Sequence, residues 1–193
     1  MRPPAVLLPR SASCRQVLRE NRLAAPKTKL SYPNYPALEQ RYAEADADRD
    51  GYLCWPELEA FQKRLDREFE YQANPTALRP DQFLAQGGGD CEDWALMSCG
   101  LFRYWGWPCY VGRLAPGRQS AGHAVCLVRS ERKPAGYMYY TVTEACTGDG
   151  RRVPPGDYVP IDYGVVGGLT NAVGNDWRLQ HFYEPERMYG LAY

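Results

Sequence analysis

Apolar spacing in this chain changes its period once. From residue 36 to residue 106 it is helical. Leu38, Tyr42 and Ala45 fall at i, i+4 and i+7, and Leu58, Phe61, Leu65 and Phe69 share one face. After a break at Asn74-Pro75, Ala95, Leu96, Leu101 and Phe102 continue at helical spacing. Beyond Gly106 come short runs rich in Val, Tyr and Thr, at 108–114, 123–129 and 137–143, divided by Gly, Pro and Ser turns. Helices followed by an antiparallel sheet predict an α+β fold. The proline-scattered stretch 1–35 reads as an extended arm with a short helix around 14–22, and the Gly- and Tyr-rich tail from 148 reads as irregular. The expected division is 1–35, 36–73 and 74–193.

Composition narrows the function classes. The 193 residues carry 23 Lys and Arg against 23 Asp and Glu with no long basic run, which argues against nucleic-acid binding. Apolar residues make up 45%, enough to exclude wholesale disorder. No run reaches the roughly 18 apolar residues that membrane insertion needs. Seven cysteines include no C-x-x-C pair, and an odd number cannot all pair within one chain. The apolar patch after Met1 is too short for a secretory segment, so a reduced, cytoplasmic setting is expected. The five tryptophans and fifteen tyrosines are expected mostly in packing.

Between the first two helical runs lies Asp-Ala-Asp-Arg-Asp-Gly-Tyr-Leu-Cys-Trp-Pro-Glu, residues 46–57. It matches the twelve-residue EF-hand pattern. Asp46, Asp48 and Asp50 stand at positions 1, 3 and 5, Gly51 at the sharp turn, Tyr52 at the backbone-carbonyl position and Glu57 at the closing position. Oxygen donors in forgiving geometry suit Ca²⁺. Cys54, at position 9, is a poor ligand, so water is expected there. EF-hands pair through the residue at position 8, and no second such loop exists. Leu53 must therefore rest on the remainder of this chain or on another copy.

Residues 87–96 read Gly-Gly-Gly-Asp-Cys-Glu-Asp-Trp-Ala-Leu. Asp90 is a natural N-cap, which places Cys91 in the first turn of a helix, where the dipole favours a thiolate. Asp90, Glu92 and Asp93 oppose that, so a cation or a histidine must offset them. Of the two histidines, His123 opens an apolar strand-like run and suits a base, whereas His181 reads as structural. If 123–129 and 137–144 form a hairpin, a register pairing Ser130 with Tyr137 sets His123 opposite Glu144. Cys91, His123 and Glu144 then form nucleophile, base and orienting acid. Gln82 or Gln86 would donate to an oxyanion beside the Cys91 N–H.

The motifs Gly-Asp-Cys-Glu-Asp-Trp-Ala, Gly-His-Ala-Val and Thr-Val-Thr-Glu-Ala, within residues 74–145, resemble bacterial transglutaminase-like cysteine proteases of the papain-like superfamily. The resemblance implies a nucleophile helix packed on a small antiparallel sheet, here preceded by a helix-loop-helix EF-hand. It also implies hydrolysis of peptide or isopeptide bonds through a thioester, on a protein or peptide substrate. At the third position that family more often has Asp, which leaves Asp162 as the alternative to Glu144. The resemblance further allows a second calcium site at Asp90, Glu92 and Asp93; helix-dipole complementation by the same acids is the simpler role. Two other outcomes stay open: acyl transfer that cross-links proteins, and a calcium-dependent binding module without chemistry.

Overall fold

The computed structural model describes residues 35–116, 122–130, 135–170 and 177–188. The arm and its expected helix around 14–22 lie outside them. Among the described residues are four α-helices: α1 (Tyr35–Ala43), α2 (Trp55–Glu68), α3 (Pro80–Gln86) and α4 (Cys91–Tyr104). They also include ten strands, several very short, in chain order: β1 (Glu70–Tyr71), β2 (Gly88–Gly89), β3 (Cys109–Pro116), β4 (His123–Ser130), β5 (Tyr140–Val142), β6 (Ala145–Cys146), β7 (Arg152–Val153), β8 (Gly156–Asp162), β9 (Val165–Val166) and β10 (Trp177–Tyr183).

The start of α4 is fixed by reciprocal capping. Asp90 Oδ1 accepts the N–H groups of Glu92 (3.2 Å) and Asp93 (3.4 Å), while Asp93 Oδ2 accepts the Asp90 N–H at 3.0 Å. From Trp94 to Phe102 the helix is buried on every side, as an apolar helix at the centre of a fold must be. Leu96, Leu101 and Phe102 are wholly buried, each contributing about 1.5–3 kcal/mol by leaving water. The helix packs on β3 and β4 and also meets α1 and α3. Tyr42 of α1 donates to the Met97 carbonyl at 3.1 Å, and the Trp105 indole donates to the Tyr42 carbonyl at 3.2 Å. Segment 36–73 thus shares one core with α4. Leu53 is fully buried in that core, which settles its open alternatives: it rests on its own chain.

The main sheet runs in the order β10-β3-β4-β8-β5, with β9 added to β8, and every pairing in it is antiparallel. The tail expected to be irregular supplies β8 and β10. The third expected strand shrinks to β5, and it pairs with β8 rather than β4. The hairpin joining 123–129 to 137–144 therefore does not form. One face of the sheet carries α4; the other closes over Tyr110, Leu114, Val125, Leu127, Tyr158 and Phe182.

The glycine run before Cys91 has a steric cause. β1 pairs in parallel with β2, Tyr71 standing opposite Gly89. Gly88 has φ +148°, and a Cβ there would lie 1.9 Å from the Glu70 carbonyl oxygen. Only glycine allows this approach. The approach delivers Tyr71 to the neighbourhood of the helix start.

Candidate active site

Cys91 opens α4, and the Ala124 N–H of β4 is directed at its sulfur. Ala124 directly follows His123, so the thiol lies against the strand end that carries the imidazole. His123 is held from its far side: Nε2 stands 2.8 Å from Asp162 Oδ1. Asp162 is 2% exposed, and its Oδ2 accepts from the Thr170 N–H at 2.8 Å and the Thr170 hydroxyl at 2.9 Å. A buried carboxylate with these donors stays where it is put. With Nε2–H given to Asp162, Nδ1 is the nitrogen left to accept a proton.

The carboxylate beside His123 is therefore Asp162, and Glu144 does not reach it. Glu144 is exposed in the bend between β5 and β6. The physical reason is strand order: β8 intervenes between β4 and the 137–144 segment and brings its own last residue to the histidine. Gln86 also drops out as an oxyanion donor, because its amide is given to Asn74 Oδ1 (3.0 Å) and the Gly88 carbonyl (3.4 Å). Gln82 accepts from the Arg79 N–H within the cap of α3.

Electrostatics in the resting geometry favour the thiol. The Cys91 S–H donates to Glu92 Oε2 at 3.1 Å. Burial, and next the Glu92 charge, push the thiol well above its ordinary range, while the Ala124 N–H works against them. Oxygens of Asp90 and Glu92 and the Cys91 sulfur lie within 4.8 Å of one another. Asp93 is different: wholly buried, it accepts from the Leu78 N–H (2.6 Å), Asn74 Nδ2 (2.5 Å) and the Asp90 N–H. Of the three acids that could form a second calcium site, Asp93 is thus occupied in holding the helix start. A cavity of about 310 Å³ opens beside His123, Glu92 and Ala124, with Val111 and Arg113 among its walls.

The acidic loop is drawn inward. Asp46 accepts from the N–H groups of Asp50 (3.1 Å) and Gly51 (3.0 Å), and Asp50 accepts from the Tyr52 N–H at 2.9 Å. Glu57 reaches back to the Ala47 N–H at 2.9 Å. Gly51 takes φ +86°, the turn that its position demands. Oxygens of Asp46, Asp48 and Asp50 lie within 4.8 Å of one another. Burial raises the carboxyl pKa of both Asp46 and Glu57. Clustered hard oxygens, with the charges of Asp46 and Glu57 disfavoured, fit a hard divalent cation. Cys54 is disulfide-bonded, so it offers no thiolate to the loop.

The sequence profile of the transglutaminase-like superfamily matches residues 41–162. The chain belongs to that superfamily. The matched stretch of this transglutaminase-like chain includes the acidic loop, Cys91, His123 and Asp162. No curated protein sequence matches it. Among solved structures it is similar to Legionella pneumophila LapG, with a TM-score of 0.49 and 15% identity over 81% of this chain and 77% of that one. Calcium-bound LapG gives a TM-score of 0.45 and 14% identity, covering 82% and 81%. A candidate cysteine protease from Cytophaga hutchinsonii gives 0.43 and 13%, covering 85% and 56%.

Removing the Glu92 charge tests the electrostatic reading. Glu92→Gln lowers the thiol pKa, enlarges the thiolate fraction at pH 7 and raises the rate of Cys91 alkylation by iodoacetamide about tenfold, equivalent to about 1.4 kcal/mol. The rate is followed by peptide mass mapping, and an unchanged rate contradicts the assignment.

Proposed function

We propose that this chain is a calcium-binding cysteine hydrolase that cleaves peptide or isopeptide bonds, with Cys91 as nucleophile, His123 as base and Asp162 as orienting acid. One observation carries the reading: a buried carboxylate fixes Nε2 of His123, and the backbone next to that histidine meets the thiol. For reaction the S–H turns from Glu92 to Nδ1 of His123, which takes the proton. The sulfur then attacks the amide carbon, and the C–N bond breaks as the imidazolium protonates the departing amine. Water, deprotonated by the same imidazole, opens the thioester. An amine in place of water would give cross-linking at the same site. Asp162 keeps the ring in the required tautomer and stabilises its cationic form.

The loop formed by Asp46, Asp48, Asp50, Tyr52 and Glu57 is read as an EF-hand that takes Ca²⁺ as a structural ion, since Leu53 and α2 build directly into the core. A second reading, an ion-holding module without chemistry, is favoured by one observation: the resting thiol is bonded to Glu92 rather than to the imidazole.

Alkylation separates the two. At pH 8 iodoacetamide modifies Cys91 faster than the exposed Cys146, and His123→Ala slows Cys91 by about 100-fold, within the usual range for a lost base. Equal labelling of the two cysteines, or indifference to His123→Ala, supports the module instead.

The loop makes its own prediction. Because the Asp46 and Glu57 carboxyls are raised in the folded state, the cation-free protein loses stability as pH climbs through those raised values. Ca²⁺ restores it, so the melting temperature near pH 7 rises with Ca²⁺ over chelator. That gain shrinks in acid and vanishes in Asp46→Ala with Glu57→Ala. An unchanged gain in the double variant rejects the loop as the site.

A further inference from the structure

Acyl transfer turns the substrate carbonyl into an oxyanion; of the two glutamines expected to receive it, Gln86 gives its amide to Asn74 and Gln82 is engaged in the cap of α3. One donor remains at hand: the Cys91 N–H, in the first helical turn, has no acceptor among the described residues. A second donor is normally required. We propose that the Tyr163 hydroxyl supplies it, acting as a further catalytic residue that binds the amide carbonyl oxygen of the substrate. This rests on the cysteine-hydrolase reading above.

Four observations support that role. Tyr163 follows Asp162 in the chain, and its ring lies 5.7 Å from the His123 ring and 5.5 Å from Trp94, which sits in the first turn of α4 beyond Cys91. It therefore stands between the helix that carries the nucleophile and the strands that carry the base and its acid. Its backbone has φ +50° in the turn between β8 and β9, a conformation that favours glycine or asparagine. A tyrosine held in a strained conformation beside candidate catalytic groups points to a role for its side chain. Its hydroxyl makes no hydrogen bond to any described residue. By contrast, the phenols of Tyr42, Tyr137 and Tyr158 each donate to a carbonyl or carboxylate. Finally, among the charges that would bear on this phenol, an ionised Cys91 would weigh most, with Asp162 next. Burial pushes its pKa up, an ionised Cys91 would push it further, and the Asp162 charge adds to that, so it stays protonated and can donate. Tyr71, 63% exposed, leans edge-on against it at 6.2 Å and forms the outer rim.

As the sulfur–carbon bond forms, the carbonyl π pair moves onto oxygen. The phenol O–H hydrogen-bonds to that oxygen without giving up its proton. When the amine leaves, the C=O bond re-forms and the contact weakens.

Two reagents distinguish this role from a structural one. Acetylation of Cys91 by p-nitrophenyl acetate passes through a tetrahedral oxyanion; alkylation by iodoacetamide does not. In the full chain, Tyr163→Phe keeps the ring against His123 and Trp94. It should slow acetylation by about 100-fold, the usual loss for one oxyanion donor, and leave the alkylation rate and its pH profile unmoved. Equal slowing of both reactions makes Tyr163 a packing residue and overturns the proposal, as does slowing of neither. If wild-type Cys91 reacts selectively with neither reagent, the hydrolase reading itself falls and the proposal with it.

Discussion

The arrangement depends on a buried carboxylate that accepts three hydrogen bonds. Asp162 gives one oxygen to the imidazole of His123 and the other to the backbone and hydroxyl of Thr170. Burying an ionised carboxylate with fewer partners would cost several kcal/mol. Fully satisfied, it fixes which nitrogen of His123 is bare. That position exists because β8 pairs with β4, Ile161 opposite Cys126, so the last residue of one strand ends beside the first residue of the other.

A second constraint is the approach of α4 to β4. The helix start carries three acids around one thiol, and two opposing effects meet there. Free N–H groups at a helix N-terminus favour a negative sulfur by about 0.3–1 kcal/mol at exposed sites. Burial and the neighbouring Glu92 outweigh that, and the resting sulfur keeps its proton. In the proposed mechanism, reactivity at neutral pH comes from His123 taking the proton. The oxygens of Asp90 and Asp93 already hold the cap and the loop before α3.

Much of this is legible in the residues. The Asp90 cap, the placing of Cys91 in a first helical turn, His123 at a strand start and the helix–acidic loop–helix all follow from local chemistry, and local chemistry survives folding. Leu53 can be seen to need a partner, though not which one. What fails is non-local. Pairing 123–129 with 137–144 assumes that neighbours in sequence are neighbours in the sheet, and β8, arriving from a Gly- and Tyr-rich tail, takes the place instead. Glu144 goes with that hairpin, and Asp162, its alternative, is the residue at the histidine. Gln86 fails for a related reason: Asn74, brought against it by the fold, and the Gly88 carbonyl engage its amide. The Gly-Gly-Gly run is partly the trace of the β1–β2 contact: a Cβ at Gly88 would meet the Glu70 backbone, while one at Gly89 would meet the Asp93 side chain of the helix cap. Tyr163 carries one readable signal, its place immediately after Asp162. Its positive φ is visible only in the fold.

The central claim is that Asp162 holds His123 with Nε2 protonated and Nδ1 bare toward the thiol. It is tested most directly by NMR of protein labelled with ¹⁵N in the histidine rings, in which long-range ¹H–¹⁵N correlations assign the tautomer of each imidazole. The account predicts that His123, when neutral, is the Nε2–H tautomer and that Asp162→Ala relaxes it toward a mixture. An Nδ1–H tautomer in the native protein, or a spectrum indifferent to Asp162→Ala, would contradict it.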